Sequence, residues 1–136
     1  MKRQFSTHWI SSSQVRKQRK FRFNAPLHIK HKFLSANLSQ ALKEKYDKRA
    51  LPLRKGDEVL VMRGNFKKRK AKISSVDLKN SKAALEGIQR SKKDGTKVNV
   101  FFSPSKLQIQ TLSLEDKERL SALNRKNQTK ISGDKK

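Results

Sequence analysis

Apolar and polar positions alternate with a period of two through the middle of the chain, and that period marks strands. Val59 and Val61 alternate with Leu60 and Met62, and the run stops at Gly64. Comparable runs cover about Ala71–Val76, Ala83–Ile88 and Lys97–Phe101, and Leu107 with Ile109 forms a last short strand. The pair Asp94-Gly95 between the third and fourth runs is a hairpin signal, and Ser103-Pro104-Ser105 turns the chain before the fifth. Five short strands joined by tight turns over residues 53–112 predict a mainly β fold closed into a small barrel, because closure removes exposed sheet edges. The expected core is Leu53, Val59, Val61, Ile73, Leu85, Ile88, Val98, Val100, Leu107 and Ile109.

On either side the pattern changes. Residues 35–52 predict a short helix and a connector: Ser39 is a suitable N-cap, and Ala41 to Lys45 are good helix formers. The helix should end near Tyr46 and Asp47, after which Pro52 and the turn Lys55-Gly56-Asp57 lead into the first strand. Ser113, followed three residues later by Asp116, predicts a capping box opening a helix over 113–124. The tail, 125–136, holds one aliphatic side chain, Ile131, and is expected to be disordered.

Charge then decides how the first 34 residues are read. The 136 residues carry 35 Lys and Arg against 11 Asp and Glu, a formal net charge of +24. Such a chain repels itself until a polyanion neutralises it. The first acid is Glu44, so every charged residue before it is basic. Residues 1–34 therefore read as a basic, extended RNA-binding arm that orders against its partner, and Pro26 forbids one continuous helix within it. The acid-free start, with Lys2, Arg3 and four serines before Gln14, faintly resembles a transit peptide. The basic run continues past it, which an RNA-contacting arm explains better. With 33% hydrophobic residues, a core can hold about half the chain. There is no cysteine, hence no disulfide or thiolate site, and no apolar run approaches the ~18 residues of a membrane span. Nucleic acid is the expected partner, with no membrane insertion.

At the first strand the run Gly56-Asp57-Glu58-Val59-Leu60-Val61-Met62-Arg63-Gly64-Asn65-Phe66-Lys67 resembles a KOW motif. That motif is shared by ribosomal proteins and transcription elongation factors. The flanks narrow the choice. Arg16 through Arg49, then Leu51-Pro52-Leu53-Arg54-Lys55, and downstream Pro104-Ser105-Lys106 with the helix after Leu112, resemble the archaeal and eukaryotic form of the twenty-fourth universal large-subunit ribosomal protein. The resemblance covers about residues 15–123. It implies an SH3-like barrel bound to large-subunit rRNA, acting early in assembly near the peptide tunnel exit of the cytoplasmic ribosome, as a monomer among neighbouring ribosomal proteins and without a cofactor. This chain departs from the family pattern where Lys68 and Ala71 replace glycines and Ser103 replaces a histidine. Lys and Ala avoid positive φ, so the loop backbone is the feature these changes bear on.

The residues expected to contact RNA fall in two groups. In the arm they are Arg16, Lys17, Arg19, Lys20, Arg22, His28, Lys30, His31 and Lys32; at a hairpin tip they are Lys67, Lys68, Arg69 and Lys70. Neighbouring cations at such a tip repel one another unless phosphates lie between them, and no acid lies between Glu58 and Asp77 to balance them. A solvated charged loop is the plain alternative. The cations from Arg16 to Arg22 would also suit a nuclear import signal. Arg54, Lys55, Arg63 and Lys106, inside the resembling segments, complete the set. Phe21, Phe23 and Phe66 could stack on unpaired bases or pack against the fold.

Catalytic readings find little support. His28 and His31 have i, i+3 spacing, but Pro26 interrupts the segment and no third ligand is near, so a metal is not expected. Asp57 and Glu58 are adjacent and point to opposite faces of a strand, which excludes an acid and base pair; Asp57 is assigned to the turn. The expectation is a non-catalytic ribosomal constituent. The alternatives are a KOW-domain elongation or other RNA-binding factor, which needs a polymerase-gripping domain with no room before Arg54, and an RNA-acting enzyme, which needs clustered acids or histidines.

Overall fold

The computed structural model describes residues 3–133, with residues 126–133 described by their backbone alone. A 3-10 turn at Thr7–Ser11 precedes helices α1 (Val15–Asn24) and α2 (Leu27–Phe33). Strand β1 (Ser35–Leu38), helix α3 (Gln40–Tyr46) and strand β2 (Ala50–Pro52) follow. Strands β3 (Glu58–Val61), β4 (Lys70–Asp77), β5 (Lys82–Ser91) and β6 (Lys97–Phe102) lead through a 3-10 turn at Pro104–Lys106 to β7 (Leu107–Thr111) and helix α4 (Lys117–Gly133). The fold is mainly β, with short helices.

The five strands expected from alternation are present as β3 to β7, but they do not form a closed five-stranded barrel. They belong to one seven-stranded sheet of order β2-β1-β7-β3-β4-β5-β6. The reason lies at β7, whose two edges are both occupied: β3 pairs with one antiparallel and β1 with the other in parallel. No edge of β7 remains for β6, so the ladder stays open. Strands β1 and β2 were missed because four and three residues are too few for a period to show. They are held by pairing with each other and with β7, not by their own propensity.

The core lies along these strands. Leu53, Val59, Val61, Ile73, Leu85, Ile88, Leu107 and Ile109 are buried, and Val100 packs half-buried against them. Val98 is the exception at 40% exposure. It alternates onto the same face as Val100 and Phe102, but the β5–β6 hairpin runs past the core, and residues 89–99 are exposed throughout. Ala36, Leu38, Tyr46, Leu51, Ala83, Phe102 and Leu123 join the core instead.

The helix after the sheet starts later than the capping-box reading placed it. Asp116, not Ser113, caps α4: its carboxylate accepts from the Glu118 N–H at 2.9 Å. Ser113 is diverted because its backbone N–H donates to Asp57 at 3.0 Å. The α4 backbone also runs on to Gly133, into the stretch expected to be disordered, since no Pro or Gly interrupts it before that point. Residues 134–136 of that tail lie outside the described residues.

What fastens α4 to the sheet is a buried ion pair that joins it to the turn before β3. Asp57 is fully buried and Arg119 nearly so. The guanidinium of Arg119 grips the carboxylate with both arms, at 2.6 and 2.7 Å. That carboxylate also accepts the backbone N–H groups of Arg54 and Ser113, while Arg119 donates further to the Ser113 and Pro52 carbonyls. A buried pair tolerates desolvation only when its remaining hydrogen-bonding sites are filled, as they are here.

Candidate nucleic-acid interface

The arm, expected to be extended, is helical. From Val15 to Asn24 it holds no Gly or Pro and is rich in Arg, Lys and Gln, all good helix formers. Pro26 ends α1 and opens α2, its carbonyl accepting from Ile29 and Lys30 at 3.0 Å. A small aromatic cluster supplies the burial that composition alone did not suggest. Phe21 is buried, stacked on Phe5 at 5.3 Å and edge-on to Phe33 at 5.8 Å. The phenylalanines Phe21 and Phe23 are therefore distinct: Phe21 is committed to packing, whereas Phe23 is 79% exposed. Arg16, Lys17, Arg19, Arg22, His28 and Lys32 are exposed on the two helices, and Lys20, Lys30 and His31 are half-buried.

The second group sits on the loop between β3 and β4 and on Lys70, the first residue of β4. Val61 N–H donates to the Arg69 carbonyl at 2.9 Å, and Lys68 N–H returns to the Val61 carbonyl at 2.8 Å, so the loop is tightly closed. The closure needs Lys68 at φ +68°, the left-handed region where glycine is at ease and lysine is strained. Ala71, by contrast, lies in β4 at a paired position opposite Val59 and needs no glycine. Phe66 turns inward, meeting Phe102 edge-on at 5.9 Å, with the Arg69 guanidinium over its outer face at 5.3 Å. Phe66 is thus a support for the loop, and Lys67, Lys68, Arg69 and Lys70 are left exposed around it.

Strand direction decides which cations come together. Strand β1 runs parallel to β7, so both begin at the same end of the sheet; α2 feeds into β1, and Lys106 feeds into β7. The Met62 N–H donates to the Lys106 carbonyl at 2.7 Å, which brings Arg63 and the loop to that end as well. The exit of α2, the Lys106 turn and the start of the loop thus lie together, whereas α1 faces the β4–β5 turn beside Ser103 and Pro104. Arg54 and Lys55 precede β3; Arg54 pairs with Asp116 and borders a second groove with His31 of α2, so it too lies beside the arm. Sequence reasoning missed the Asp57–Arg119 pair, whose members stand 62 positions apart. It also missed Lys79 and Lys82, which border a groove with the arm. Single lysines in a turn carry no signal in one sequence. Among the described residues no three His, Cys, Asp or Glu side chains gather as a metal site.

These features define a class: a small, mainly β protein whose cations are exposed on helices and loops around its sheet. The family model described as ribosomal proteins L26 eukaryotic, L24p archaeal matches residues 12–126. Among curated proteins, the large ribosomal subunit protein uL24 of Methanosphaera stadtmanae is 44% identical over 115 residues, covering 85% of this chain and 98% of its own. The protein of the same name from Korarchaeum cryptofilum is 45% identical over 117 residues, covering 86% and 89% respectively. The chain belongs to this family of ribosomal proteins, which are structural constituents and not enzymes.

Proposed function

We propose that the protein is a structural constituent of the large subunit of the cytoplasmic ribosome, binding large-subunit rRNA through the arm helices and the β3–β4 loop. The observation that carries this reading is the exposure of two acid-free cation groups, one on α1 and α2 and one on the β3–β4 loop, the latter bonded at Met62 to the Lys106 turn. The names of the two archaeal relatives support the subunit assignment. Arg and Lys would hold phosphates and position the RNA, a sequence-independent task suited to a scaffold protein. The succession of β3 to β7, with a 3-10 turn before the last strand, supports reading residues 53–112 as an SH3-like KOW unit. Early action in assembly, a place near the tunnel exit, and contacts with neighbouring ribosomal proteins as a monomer complete the proposal. Sedimentation tests it: the tagged chain should travel with large subunits in a sucrose gradient and leave them at high salt. A chain found only in the soluble fraction would contradict it.

A further inference from the structure

Helix α1 shows two faces. Phe21 and Phe23 are two residues apart, about 200° around the helix, so burying one exposes the other. Arg19, Arg22 and Phe23 stand at i, i+3 and i+4 and share the exposed face. Opposite that face are the turn between β4 and β5, which supplies Lys79, and the first residue of β5, Lys82. Between them lies a groove of about 620 Å³, within the size range of small-ligand sites. No carboxylate lines it. The nearby acid, Asp77, is held within its own turn: its carboxylate accepts the Asn80 backbone N–H at 3.0 Å and the Asn80 side-chain amide at 2.7 Å. The groove thus presents cations from two separate elements and one bare aromatic ring.

That combination fits a particular RNA chemistry. Cations alone would serve a paired, A-form backbone, whose bases are stacked and out of reach. An exposed ring beside them serves a base that has left its stack. We propose that this groove holds an unpaired nucleotide of the bound RNA, its base on the Phe23 ring and its flanking phosphates on Arg19, Arg22, Lys79 and Lys82. The inference rests on the RNA-binding reading above and adds to it a choice between paired and unpaired RNA.

The test compares two synthetic RNAs, a fully paired duplex and the same duplex with a short bulge of unpaired adenosines, by fluorescence anisotropy with the full chain. The parent should prefer the bulged RNA. Phe23→Ala should weaken bulged binding about tenfold while leaving duplex binding unchanged. Phe23→Trp should restore the preference, and Lys79→Ser with Lys82→Ser should reduce it. Because Phe23 is largely exposed, circular dichroism should report an unaltered fold for its variants. If Phe23→Ala binds the bulged RNA as the parent does, or loses both RNAs equally, the nucleotide site is wrong while RNA binding stands. If the parent binds neither RNA, the broader reading fails and takes this site with it.

Discussion

At the scale of single residues, the Asp57–Arg119 pair makes the sharpest demand. Arg119→Ala would leave a fully buried carboxylate without its cation, a loss of about 3–5 kcal/mol that should show as a large drop in melting temperature. A variant melting near the parent would mean that α4 is not fastened this way. Lys68 offers the opposite case. Its φ of +68° suits glycine, so Lys68→Gly should raise stability in urea by about 0.5–1 kcal/mol while removing one loop cation. A destabilised glycine variant would contradict the strained geometry. The Asn80 hydrogen bonds, backbone first, hold the Asp77 carboxyl below its ordinary 3.8. A depressed folded-state pKa contributes stability that is present above the unfolded value and is lost as pH falls through the folded one. The Asn80 amide resonance should therefore titrate with a midpoint below 3.8. A midpoint at or above that value would show the turn to be open.

Between elements, arm and loop can be separated. Deleting residues 1–33 removes nine cations and no strand, and it leaves the fully buried Leu34 in place. The truncated protein should stay folded and bind RNA much more weakly. Replacing Lys67, Lys68, Arg69 and Lys70 with Ser removes four cations from a loop whose inward contact, Phe66, is retained. Since α1, α2 and the loop all have defined structure, neither should carry a large ordering cost, and affinity lost per cation should be similar. Filter binding at one salt concentration, with circular dichroism to confirm folding, measures both. Undiminished binding by the folded loop variant would remove the loop from the interface.

Strands β3 and β7 were legible in the sequence because they bury alternate residues, whereas β5, which buries Ala83, Ala84 and Leu85 in succession, was legible from the turn that follows it. The arm helices were not, because their stability comes from Phe5, Phe21 and Phe33 meeting across 28 positions, which no local pattern records. The cations proposed for the interface were chosen from the absence of acids and from the resembling segments. That the exit of α2 lies beside the Lys106 turn follows from the parallel pairing of β1 with β7, a contact between segments some seventy residues apart.

For the molecule as a whole, a net charge of +24 on 136 residues is the dominant fact. If both cation groups meet phosphates, binding must release the counterions those phosphates held, and affinity must fall steeply with salt. The most direct measurement is the equilibrium affinity of the full chain for a large-subunit rRNA fragment over a series of salt concentrations. The expected plot of log affinity against log salt is a straight line, falling by about 0.7–0.9 per phosphate contacted and so by several units overall. It should become shallower in the arm deletion and in the loop variant. A nearly flat line for the parent would contradict the account, because affinity independent of salt cannot come from these cations.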